Sequence, residues 1–142
     1  MGARRKGREA ALQLLYQIEL SGDRSETAVR DFWSTRSEPP AAERDFAERL
    51  VGDVLSRLDG IDSMIAACAD NWQLDRISRM DLSVLRIGVG ELTDRAGGVP
   101  AEVVVNEAVD IARRYCDAGA PAFINGVLDR VARDCGALSR DE

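Results

Sequence analysis

The chain has 142 residues, three cysteines, no histidine and a formal charge of −6, a size that suits one compact domain over residues 1–142. The lack of histidine removes the commonest general base near neutral pH and the commonest nitrogen metal ligand, which excludes catalytic triads and zinc-hydrolase motifs. There is no glycine-rich phosphate loop and no apolar run near the roughly 20 residues that span a bilayer, so the chain reads as cytoplasmic and non-enzymatic, without membrane, cofactor or metal.

The elements are helical throughout. Residues 4–20 carry Ala11, Leu14, Leu15 and Ile18 at three- and four-residue steps, and Ser21-Gly22 ends this first helix. A second helix fits residues 24–36, with Ser25 as N-cap and Pro39-Pro40 as a stop. A third places Phe46, Leu50, Val54 and Leu58 on one face, and Gly60 marks a bend or interruption. The pattern resumes through Ile61, Ile65 and Cys68 to Trp72 as a fourth helix.

MDLSVLRIGVGEL is apolar around most of a helical circumference, leaving Ser83, Arg86 and Gly90 together, and so predicts a central, mostly buried fifth helix. Gly97-Gly98 breaks it. Pro100 opens a sixth helix with Val104, Ala108, Ile111 and Ala112 inward, and AFINGVLDRVARD forms a seventh with Ile124, Val127, Leu128 and Val131 inward. The fold class is therefore all-α. Cys68, Cys116 and Cys135 are odd in number and far apart, which favours free buried thiols over a disulfide framework or a zinc site.

The charge pattern raises a question. Arg4, Arg5, Lys6 and Arg8 crowd the start of an acidic chain, where the helix dipole disfavours cations unless an anion binds. Two readings fit: a frayed, solvated terminus, or a flexible arm that follows a phosphate backbone. Gly7 within the segment weakens its helicity. On the first helix Leu12, Tyr16 and Leu20 lie opposite Leu14 and Ile18, so this helix is either buried on both faces or meets a second protein through Tyr16. Phe123 sits just off the inward stripe of the last helix and reads as core or as a stacking platform, and the nearby Asn125 amide can hydrogen-bond a base edge.

The segments ARRKGREAALQLLYQ, NWQLDRISRMDLSVLRIGVGEL, VPAEVVVNEAVDIARRY and FINGVLDRVARD, in that order and spacing, resemble the NusB family of transcription antitermination factors nearly end to end. The resemblance implies seven helices in two packed bundles. It also implies binding of boxA-type single-stranded RNA together with the small-subunit ribosomal protein NusE, in a complex that loads onto RNA polymerase and supports transcription of ribosomal RNA operons. Carried over by position, it assigns Arg4, Arg5, Lys6, Arg8, Phe123 and Asn125 to RNA, and Tyr16 and Asp81 to the protein partner. The loop CDAGAPAF is less polar than in many relatives, and the free chain is a monomer or a homodimer on this reading.

Two rivals remain at this level: the helical RNA-binding domain of a ribosomal RNA cytosine methyltransferase, and a helical scaffold that binds protein only. Salt dependence separates the last from an RNA binder. Four neutralised phosphates predict about 50-fold weaker single-strand binding between 50 and 200 mM salt.

Overall fold

The computed structural model describes residues 2–36, 40–70, 73–94 and 98–134. Among them are seven α-helices and no strand: α1 (Gly2–Ser21), α2 (Glu26–Ser34), α3 (Ala41–Ser56), α4 (Leu58–Cys68), α5 (Arg79–Leu92), α6 (Ala101–Tyr115) and α7 (Ala120–Asp134), with a 3-10 turn at Leu74–Arg76. The all-α expectation holds. Pro39, Trp72, Gly97 and Cys135, to which the sequence assigned a stop, a helix end, a break and a buried thiol, lie outside the described residues.

Local signals set most of the boundaries. Gly22, at φ +74°, takes the left-handed conformation that ends α1, and its N–H donates to the Ile18 carbonyl at 2.7 Å. Ser25 caps α2 as expected, its Oγ accepting from the Ala28 N–H at 3.2 Å. Ser78 does the same for α5, accepting from the Asp81 N–H at 3.1 Å. The break between α3 and α4 falls at Arg57 rather than Gly60, which lies exposed in the first turn of α4. Arg57 holds this corner with its guanidinium, bonded to Asp53, the Thr93 hydroxyl and the Gly90 carbonyl.

The helices form two packed bundles that meet along α5. Helices α4, α6 and α7 surround α5 on one side, while α1 and α3 pack on it from the other; α2 inserts Phe32 and Trp33, whose rings meet edge to face with centroids 5.0 Å apart. Every residue from Leu82 to Gly90 is buried. The strip of Ser83, Arg86 and Gly90 is covered rather than solvated. A Cβ on Gly90 would lie 2.9 Å from the Val54 side chain, and one on Gly88 2.8 Å from Leu128, so these two glycines let α3 and α7 approach α5 closely.

Helix α1 is sandwiched. Leu14, Leu15 and Ile18 are buried on one face and Leu12 on the other; only beyond Tyr16 does the apolar surface emerge, with Leu20 56% exposed. Gly7 is helical here, and its missing side chain makes room for the Phe46 ring, which a Cβ would meet at 2.6 Å. Two ion-pair groups pin α1 antiparallel to α5. Near one end Arg8, 4% exposed, forms a bidentate pair with Glu91 at 2.6 and 2.9 Å. Near the other Arg86 joins Glu19 at 2.9 Å and Asp62 twice at 2.8 Å.

Removing one partner of a buried pair strands the other charge, at a cost of about 3–5 kcal/mol. Arg8→Ala is therefore expected to lower the urea unfolding free energy by that amount, while Arg4→Ala, at an exposed position, changes it by less than about 0.5 kcal/mol.

Candidate nucleic-acid interface

The basic segment is not a free arm. It forms the first two turns of α1 and lies against α6 and α3. Arg5 makes a bidentate pair with Glu107 at 2.5 and 2.8 Å and reaches Asp110 at 3.0 Å. Arg8 is turned inward onto Glu91, with Glu107 3.8 Å away. Arg4 and Lys6 are exposed, and the Arg4 guanidinium lies over the Phe46 ring, 5.6 Å from its centroid. Of the four cations that open the chain, two are thus neutralised by acids from α5 and α6. The sequence could not show this, since the partners lie 83 to 105 residues away.

The pairing marks the acids as well. The Glu107 carboxyl is held below the usual carboxylate range by the hydrogen bond from Arg5, against the opposing effect of burial, with the charges of Arg5 and Arg8 adding to it.

Asn125 is exposed on α7 and lines a groove of about 770 Å³ between α6 and α7, together with Asn106, Asp110 and Arg113 of α6 and the 116–118 loop. Phe123 is half-buried and packs against the core. Two residues apart on a helix, Phe123 and Asn125 leave α7 in directions roughly 200° apart, so they do not share a face. The groove instead joins the start of α1 through Asp110, which accepts from Arg5 and, at 2.7 Å, from Arg113. Asn106, Asp110 and Arg113 were not singled out from sequence. Their signal was present as a polar stripe at i, i+4 and i+7 in NEAVDIAR.

Tyr16 and Asp81 are both half-buried. Arg79, two residues before Asp81, donates to the Glu19 carbonyl at 3.2 Å, which sets the start of α5 against the end of α1 that carries Tyr16 and exposed Leu20. Asp81 also faces Cys116, whose thiol is pushed up to about 12 by burial and by its hydrogen bond to this carboxylate. Cys116 lines the α6/α7 groove, so the Asp81 patch and the groove adjoin through one side chain. Among the described residues no group of acids and cysteines could hold a metal ion, and no helix is long and apolar enough to cross a membrane.

Comparison with known proteins shows what the chain is similar to. The model of the NusB family matches residues 5–133. The chain is 42% identical to the transcription antitermination protein NusB of Sorangium cellulosum, over 99% of both chains. It is 44% identical to that of Myxococcus xanthus, over 93% of this chain and 96% of the other. Among solved structures, the crystal structure of antitermination factors NusB and NusE in complex with double-stranded RNA contains a chain that superposes with a TM-score of 0.84 at 25% identity, covering 94% of this chain and 98% of that one.

A group whose folded pKa is depressed contributes stability that is full above its unfolded value, about 4.3 for Glu, and lost as pH falls through the lower folded value. Glu107→Gln is accordingly expected to be less stable than the parent at pH 7, and to lose less stability between about pH 5 and pH 3. Urea midpoints across that range check both.

Proposed function

The chain belongs to the NusB family, and from that premise we propose that it is a cytoplasmic transcription antitermination factor, a single non-catalytic domain. It binds boxA-type single-stranded RNA together with the ribosomal protein NusE, and through that complex serves RNA polymerase on ribosomal RNA operons. The observation that carries the reading is the division of labour along α1. Arg5 and Arg8 are anchored inside a neutral network, and this fixes the helix that presents exposed Arg4 and Lys6, while Arg5 itself reaches Asp110 on the wall of the groove bearing Asn125.

In this reading Arg4, Lys6 and the outer edge of Arg5 meet phosphates, Asn125 meets a base edge in the groove, and Phe123, on the other side of α7, lends the edge of a half-buried ring to a separate part of the strand. Arg8 acts as a positioning residue. The partner patch is Tyr16 with Asp81, where a carboxylate at the exposed end of the α1/α5 seam suits a basic ribosomal protein. The relatives' own description as transcription antitermination proteins favours this reading over the RNA-binding domain of a methyltransferase. The similarity to the NusB–NusE complex with RNA favours it over a scaffold that binds protein only.

The test is fluorescence anisotropy of labelled boxA-type RNA, single-stranded and duplex, with and without NusE. Sequence-selective single-strand binding that tightens with NusE is expected, and no RNA binding in any condition would sink the reading. With Arg4 and Lys6 as the free cations of the segment, the double variant Arg4→Ala/Lys6→Ala should remove about sevenfold of the weakening seen between 50 and 200 mM salt. Tyr16→Ala should weaken NusE capture and leave binding of RNA alone near the parent value.

A further inference from the structure

The α6/α7 groove holds more polar chemistry than the interior of the protein uses. Asn106 and Asn125 are exposed on facing helices and line it, and neither side-chain amide has a hydrogen-bond partner among the described residues. An amide offers both a donor pair and an acceptor, the complement of a nucleobase edge. Two guanidiniums flank this pair of amides. Arg113, 63% exposed, lies on the groove wall, and Arg5 reaches it from α1.

Both guanidiniums converge on one carboxylate. Asp110 Oδ2 accepts from Arg5 at 3.0 Å and Oδ1 from Arg113 at 2.7 Å. An anionic oxygen pair held between two arginines is the geometry of a phosphate bound between them.

We propose that the α6/α7 groove is a nucleotide-binding site for the RNA strand, in which Asn106 and Asn125 read a base and Arg5 and Arg113 hold the adjoining phosphate, with Asp110 standing in for that phosphate in the free protein. The inference rests on the RNA-binding reading above and extends it to three residues, Asn106, Asp110 and Arg113. It makes Asp110 a brake: a phosphate entering the groove must compete with an intramolecular carboxylate, which holds down binding to any strand that cannot also satisfy the two amides. The outlet is the Cys116 end of the groove, beside Asp81, so a strand running along it passes directly toward the proposed protein partner.

The experiment uses the full chain with NusE and the same labelled single-stranded RNA, titrated at 50 and 200 mM salt. Asp110→Asn keeps the side-chain shape and frees Arg113, while Arg5 loses one contact and stays paired with Glu107, so the variant should bind more tightly at 50 mM. Its salt weakening should be steeper by about 2.6-fold, the share of one added phosphate contact at Arg113. Asp31→Asn, which makes the same charge change at an exposed position on α2, should move neither quantity by more than about 1.5-fold. Asn106→Ala and Arg113→Ala, both at exposed positions, should each weaken binding by about three- to tenfold.

If Asp110→Asn behaves like Asp31→Asn or binds more weakly than the parent, the proposal is overturned. It is equally overturned if Asn106→Ala and Arg113→Ala bind like the parent while Arg4→Ala/Lys6→Ala binds more weakly; the RNA-binding reading would then survive without this site. Loss of all RNA binding by the parent overturns both.

Discussion

The burial of one guanidinium organises this molecule. Arg8 is 4% exposed near one end of the largely apolar α1/α5 seam, and a charge in that position is tolerated only when it is paired and hydrogen-bonded. Glu91 meets it bidentately, which fixes the rotation of α1 about its axis and its register along α5. From that register follow the other contacts of the first helix: Arg5 falls on Glu107 and Asp110, Glu9 on Arg114, and Glu19 on Arg86. A slip of one residue would turn Arg8 by about 100° and break all of them together. The apolar contacts of Leu12, Leu14 and Leu15 supply area, and the ion pairs supply the register.

The same network decides how an acidic protein presents a basic surface. Acids of α5 and α6 neutralise the inward cations of the opening segment, leaving Arg4 and Lys6 as its exposed charges. A small number of free cations on a rigid helix gives weaker nonspecific attraction to polyanions than a floppy arm of four would, since each neutralised phosphate adds affinity regardless of sequence. On the proposed reading, selectivity then rests with groups that have geometry, such as amides on fixed helices, and with the protein partner. The remaining negative charge of the chain works in the same direction.

Close packing around α5 is what brings the α6/α7 groove and the Asp81 end of α5 together. Gly88 and Gly90 draw α7 and α3 onto it, α6 and α7 pack on each other and on α5, and the crevice they leave ends at Cys116, against Asp81 in the first turn of α5. The groove and the proposed partner patch are therefore two ends of one packing arrangement. A change at the α5 glycines would be felt at both.

The sequence by itself determined the seven helices, the central buried α5, the Ser25 cap, the stop at Gly22 and the family, because each of these is written in neighbouring residues: apolar periodicity, capping chemistry and ordered motifs. It also showed that both faces of α1 are apolar. Only the tertiary structure decided which of the opening cations face solvent, that Phe123 and Asn125 part to different sides of α7, that the α3/α4 corner falls at Arg57 instead of Gly60, and that Asn106, Asp110 and Arg113 line a groove with Asn125. Those outcomes depend on partners far along the chain, such as Glu91 for Arg8 and Asp110 for Arg5. A charge pattern read locally gives the number of cations and says nothing of the acids that the fold will set against them.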